Sequence, residues 1–304
     1  MPVSVRDVEA LETVVRPRLP IWVGLSLAAL RHGPRDPTVR IRRDGVWRAT
    51  RTPDGPATVR YEQRDDEVRV CAWGPGAEHA IAKAPEVLGS RDSLDGWNPS
   101  AYPAVREIDR RMSGLRMVAT GAVFEAIVPT VLEQKITSEE AHESWRRMAW
   151  RWGEEAPGPD GVRLPPSPAK LAGEPYYAYH RLGVEKKRTD IVRRLADRAV
   201  RVEEAKGLGR QRLEAFPGIG AWTSAKVAQV AWADADAVPV GDYHLAPVVV
   251  YTLTGRRGGD DDAMLELLEP FAPHRGRAAL LLKMAGGGPP RRAPRARLRD
   301  LTTI

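Results

Sequence analysis

One stretch of the 304-residue chain constrains its fold more than any other: FPGIGAWTSAKVAQVAWADADAVPVGDYHL, residues 216–245. Ahead of it, LGRQRLEAF reads as a helix; Pro217, Gly218 and Gly220 break that helix, and a second one starts at Ala221. Two helices joined by so tight a turn pack as a hairpin, with Ile219 pointing inward to anchor it. Glycine at 218 and 220 permits unusual backbone angles and leaves no side chain over the turn. The free amides of the second helix, reinforced by its dipole, then face outward as a ready anion site. Asp242 follows 22 residues after Gly220. As a local device it would cap a helix starting at Tyr243; it also sets a carboxylate near the anion site.

A chain of this length exceeds one comfortable core, so two domains are expected. The character of the sequence changes near residue 97. Before it, TVRIRRDGVWRATR carries a hairpin pattern around Asp44 and Gly45, ATVRYE and EVRVCA follow as strands, and AEHAIAKAPEVLG reads as a helix ending at Gly89. With LPIWVGLSLAALRHG in front, the order is α-β-β-β-β-α and the sheet antiparallel. After it the periodicity is helical: AVFEAIVPTVLEQKI aligns Phe124, Ile127, Val128, Val131 and Leu132 on one face, with Pro129 as a kink. A Pro- and Gly-rich loop covers 156–168, and EKKRTDIVRRLADRAVRVEEA reads as one long polar helix. The predicted fold class is α+β, divided into a mixed α/β domain over 1–97, a helical domain over 98–285 and a basic, mobile tail over 286–304.

The net charge of +7 and a pI near 9.7 favour a polyanionic partner, although 39 of the 47 basic residues are arginine, a bias that genome composition alone can produce. The single Cys71 excludes a disulfide framework, a four-cysteine zinc site and a four-cysteine iron-sulfur cluster. No apolar run is long enough to span a bilayer and no signal-peptide pattern opens the chain, so the expected location is cytoplasmic.

FPGIG at 216–220 followed by VPVGD at 238–242 resembles the signature of the helix-hairpin-helix DNA glycosylases. The stretch 114–141, with its LEQKITS segment, is similar to the family helix near the DNA wedge, and the N-terminal sheet resembles the TBP-like layered α/β domain of the 3-methyladenine DNA glycosylase II branch. The resemblance covers about residues 20–285. It implies base excision repair by a monomer acting on double-stranded DNA: a damaged base, an alkylated purine in that branch, is flipped out and its N-glycosidic bond broken. Pro217, Gly218, Ile219 and Gly220, with Trp222 and Thr223 in the first helical turn, would grip the DNA backbone, and a monovalent cation, K+ or Na+, would sit on hairpin carbonyls. No other cofactor is implied.

Bifunctional members carry a Schiff-base lysine two residues past the hairpin. Here that residue is Trp222, which implies hydrolysis without strand incision; Lys226, one turn further on, is the rival amine. A non-catalytic hairpin DNA-binding protein is the alternative from another class. Asp242 is the catalytic candidate, stabilising the cation-like sugar or activating water, and His244 an orienting one. Trp222, Tyr243 and, more loosely, Trp22 match base-pocket positions. The wedge position holds Lys135, leaving Gln134, Ile136 or another loop to do that work. A C-terminal aromatic pair of the branch is replaced by Lys283 and Met284. Lysines lining the pocket would oppose a cationic alkylpurine and leave deaminated or oxidised bases as candidates.

Overall fold

A computed structural model describes residues 9–205, 209–286 and 288. The chain runs β1 (Leu11–Val15), α1 (Val23–Leu27), β2 (Val39–Arg42), β3 (Gly45–Thr52), β4 (Gly55–Arg64), β5 (Glu67–Trp73) and α2 (Ala77–Val87). There follow α3 (Pro103–Arg111), α4 (Val123–Leu132), α5 (Ser138–Trp152), α6 (Pro168–Gly173), α7 (Tyr176–His180), α8 (Lys186–Ala196), α9 (Ala199–Glu203), α10 (Arg210–Glu214), α11 (Ala221–Ala231), α12 (Leu245–Thr254), α13 (Asp261–Leu268) and α14 (Arg275–Met284). Apart from Gly286 and Gly288, the predicted tail lies outside the described residues.

The fold is α+β, with one antiparallel sheet in the order β1-β5-β4-β3-β2. The four expected strands are present, and β1 adds a fifth at the edge. Its sequence, LETVV, is mostly exposed and lacks the alternation that marks a half-buried strand, so only pairing with β5 makes it one. On the inner face Val59, Tyr61, Val68 and Val70 pack with Leu27 of α1 and Ala80, Ala84 and Val87 of α2. On the other, Trp47 stacks on Trp73 at 5.4 Å beneath the loop bearing Ala156, Val162 and Leu164. That loop is the predicted one, pinned by an isolated bridge between Glu155 and Arg163.

The helices pack as two clusters. α4, α5, α8 and α11 enclose Ile127, Val131, Met148, Ile191 and Val227, with Ile219 of the hairpin among them. α3, α12, α13 and α14 enclose Ile108, Val249, Met264, Phe271 and Leu282. All five residues of the predicted α4 face are buried. The amides of Val123 and Phe124 at the start of α4 donate to the Glu203 carboxylate at 3.0 and 2.8 Å, a cap supplied from another helix. The expected long polar helix is a correction: it breaks after Ala196 into α8 and α9, and α8 buries Thr189, Ile191, Val192 and Leu195 against the first cluster. Its high charge hid that face.

Buried charge ties the units together. Arg48 of β3 pairs with Glu125 of α4 at 2.7 Å. Asp92, after α2, pairs with Arg277 of α14 and accepts the Met117 amide at 3.1 Å, its side chain 1% exposed and that of Arg277 3%. Among the described residues no helix is long and apolar enough to cross a membrane.

Candidate active site

The hairpin forms where its residues require it. Gly218 has φ +96°, and a β-carbon there would lie 2.6 Å from Ile191 Cδ1, so both backbone and space demand glycine. Gly220 is the extended N-cap of α11 and faces open space. Pro217, Gly218 and Gly220 are exposed while Ile219 is buried, as the sequence reading expects of an anchored turn with bare amides. Thr223 requires correction as a DNA-facing residue. It is 2% exposed, and its hydroxyl accepts from Gln134 Nε2 at 2.9 Å. Gln134 Nε2 also donates to the Gly218 carbonyl at 3.0 Å. The wedge loop and the hairpin are therefore one bonded unit, and Gln134 is its link rather than a free wedge.

Lys135 is the exposed tip of that loop and holds φ +57°, a rare conformation for a residue with a side chain. Ile136, next to it, is partly buried against the first helical cluster. Behind them the buried Arg188 donates to the Gln134 carbonyl at 2.9 Å. Sequence reasoning missed Arg188 because it lay inside a run taken as a polar surface.

Asp242 sits at the seam of the two helical clusters. Its Oδ2 accepts from Trp222 Nε1 at 3.3 Å and from Lys283 Nζ at 3.0 Å, and its Oδ1 from the His244 amide at 3.0 Å. Burial opposes ionisation, but the Lys283 charge and these hydrogen bonds outweigh it and hold the carboxyl below its ordinary 3.8. The carboxylate is thus aimed, charged and largely out of water, its side chain 10% exposed. Its local role differs from the expected cap: α12 begins at Leu245, its N-cap is His244, and Asp242 forms a turn onto the amide two residues on. His244 thus orients Asp242 through its backbone, while its ring lies 4.8 Å from that of Tyr243. Tyr243 is 87% exposed and forms no closed pocket wall. Trp22 is 44% exposed and lies against Gly114, where a β-carbon would meet its ring at 2.4 Å.

Lys226 is not a free amine. Its Nζ lies 4.8 Å from the Trp222 ring centroid and is ion-paired with Glu133. Glu133 also has His32 Nδ1 at 3.7 Å and His142 Nε2 at 3.9 Å. Burial works against its charge, yet the His32 hydrogen bond and the Lys226 charge bring its carboxyl down to about 2. Burial pushes the His142 imidazole below its ordinary 6.5. These three residues went unnoticed: Glu133 adjoins the quoted Gln134, but nothing local places histidines from the N-terminal unit and α5 beside it. A cavity of about 480 Å³ lined by Arg48, Phe124, Glu125 and Trp145 lies elsewhere; Asp242, Trp222, Lys226 and Lys283 do not line it. Among the described residues no group of three or more His, Cys, Asp or Glu could hold a metal ion.

The architecture is shared with solved structures. A 3-methyladenine DNA glycosylase from Archaeoglobus fulgidus matches 89% of this chain and 96% of its own at 17% identity, with a TM-score of 0.75. The 8-oxoguanine glycosylase/lyase of Clostridium acetobutylicum, in its apo form, matches 91% and 97% at 13% identity, with a TM-score of 0.68. A Schizosaccharomyces pombe 3-methyladenine DNA glycosylase in complex with abasic DNA matches 60% and 91% at 18% identity, with a TM-score of 0.51. No protein-family model matches the sequence, and no curated protein matches it significantly. At these identities the likeness shows the fold: that of the helix-hairpin-helix DNA glycosylases.

Proposed function

We propose that this chain, which has the helix-hairpin-helix glycosylase fold, is a DNA glycosylase of base excision repair that acts as a monomer on double-stranded DNA. The observation that carries the reading is Asp242, held ionised by Trp222, Lys283 and the His244 amide behind an exposed Pro-Gly-Ile-Gly turn. The bare amides of α11 take a DNA phosphate without regard to sequence. Lys135 stands at the tip of the bonded loop to hold the stack open. A flipped nucleotide, whose unstacking costs a few kcal/mol, then places its sugar at Asp242. As the glycosidic bond breaks, positive charge grows on the sugar, and a fixed carboxylate stabilises that charge more than it stabilises the ground state. The hairpin helix supplies no free amine, since Trp222 occupies the lysine position and Lys226 is bound to Glu133. Water is therefore the nucleophile in base release. The resemblance implies a monovalent cation on the hairpin, where the carbonyls of Phe216, Gly218 and Gly220 each accept one hydrogen bond and have a second lone pair to offer it. Bound there it would reinforce phosphate attraction.

Two substrate classes separate on one observation. The resemblance implies an alkylated purine, which is a cation. The ammonium of Lys226 covers the Trp222 face and that of Lys283 touches Asp242, so a cationic base meets two like charges, whereas a neutral damaged base meets hydrogen-bond donors. We favour the neutral base. Matched duplexes carrying a methylated purine, a deaminated base or an oxidised base, scored for alkali-labile sites, test this. Faster release of a neutral lesion is expected; preferential release of the methylated purine would restore the alkylation reading.

A further inference from the structure

The hairpin helix offers no amine to the reacting sugar, but the last helix does. Lys283, in the final turn of α14, sets Nζ 3.0 Å from Asp242 Oδ2, its side chain 45% exposed against 10% for Asp242. Any sugar whose anomeric carbon is drawn up to that carboxylate meets the ammonium in the same contact. The position is fixed rather than incidental. Six residues earlier the Arg277 side chain is buried on Asp92, and its amide donates to the Ala235 carbonyl at 2.8 Å. Gly276 is packed so closely that a β-carbon would lie 2.3 Å from the Ala237 carbonyl. α14 is thus clamped onto the segment that leads into Asp242, and Lys283 is carried with it.

Resting on the glycosylase reading, we propose that Lys283 is a Schiff-base nucleophile, so that the protein also incises the strand at the abasic site it makes, with an amine supplied by the C-terminal helix. In the first step the Lys283 ammonium gives one proton to the Asp242 carboxylate, and the freed amine lone pair bonds to C1′ of the open-chain aldehyde. A second nitrogen hydrogen passes to the aldehyde oxygen, Asp242 returns its proton to that hydroxyl, and water leaves, so that the protonated imine carries the positive charge and Asp242 is again a carboxylate. In the second step the Asp242 carboxylate takes the C2′ proton. The C2′–H electron pair becomes the C2′=C3′ bond, the C3′–O bond breaks, and the phosphate departs with its bonding pair. Water then hydrolyses the imine, returning the ammonium and leaving an unsaturated aldehyde on the 3′ end, while Asp242 gives its proton to solvent. The carboxylate that stabilises the sugar cation in base release serves here as the base, which the contact between the two side chains allows.

The test uses the full chain, sodium borohydride and a duplex with one preformed abasic site, so its outcome does not depend on which base is released. The wild type is expected to nick the strand and form a covalent adduct that peptide mass spectrometry assigns to Lys283. Lys283→Arg, which keeps the positive charge beside Asp242 but cannot form an imine, should lose the adduct while still binding the duplex by fluorescence anisotropy. Absence of an adduct with wild type, an adduct on Lys226 or another lysine, or trapping by Lys283→Arg as strong as wild type would each overturn the inference. Release of free base without trapping would reject the lyase and keep the glycosylase; trapping without release would do the reverse.

Discussion

Asp242→Asn is expected to lower base release by roughly 10²–10³-fold, the usual cost of removing one preorganised electrostatic partner of a transition state, while DNA affinity changes little. The amide matches the carboxylate in shape, and its oxygen can still accept from Trp222 or from the His244 amide. What it lacks is the charge opposing the sugar cation. Phosphate contacts made by the hairpin amides do not involve this side chain. Turnover under single-turnover conditions and binding by anisotropy separate the two effects. The pH dependence follows from the same contacts. Because Lys283 and the hydrogen bonds hold the carboxyl below its ordinary 3.8 despite burial, Asp242 stays ionised on acidification past the range in which an exposed aspartate protonates. The acid limb of the rate profile should lie at or below that range, and Lys283→Gln should move it upward. An asparagine variant as active as wild type would remove Asp242 from the chemistry.

The largest effect on stability is expected from Asp92→Ala, a loss of about 3–5 kcal/mol, as for other buried pairs broken on one side. Both side chains of the Asp92 and Arg277 pair are almost fully buried, and Arg116 Nη1 lies 3.9 Å from the same carboxylate. Without Asp92 the Arg277 guanidinium keeps the His274 ring nitrogen, at 3.5 Å, and the Trp97 ring, whose centroid is 5.9 Å away, in partial compensation. The Met117 amide also loses its acceptor. Urea unfolding should show a lower midpoint at unchanged slope. A midpoint within error of wild type would mean that the charges are solvated and that α14 is held by packing alone. This residue matters to the site because the clamp on α14 sets where Lys283 meets Asp242.

What could be read from the sequence was local. The hairpin turn, its inward Ile219, the following helix and the acid at a fixed distance are short-range patterns, each set by residues close together in the chain. The apolar face of α4 and the hairpin at Asp44 were equally legible, since a period of 3.6 or of 2 survives without knowledge of partners. Elements whose shape depends on distant partners were not. β1 is a strand because β5 lies beside it, and α8 hides its buried face behind arginines and lysines. Within the site, the Lys226 side chain was visible but its partner was not. The pairing needs Glu133 from the end of α4, and the carboxylate is further enclosed by His32 and His142 from two other elements. Lys283 was noted only as a departure at an aromatic position. Its contact with Asp242 depends on the packing of Gly276 and Arg277, and Lys283 itself lies 41 residues beyond the acid it touches, on the third helix after it.

The central claim is tested most directly by mass spectrometry of free bases released from duplex DNA carrying methylated, deaminated and oxidised lesions together. Wild type should release at least one damaged base and leave the undamaged ones in place, and Asp242→Asn should release none above background. No free base of any kind from the wild type, with the DNA still bound, would contradict the account and leave a hairpin protein that binds DNA without cutting the glycosidic bond.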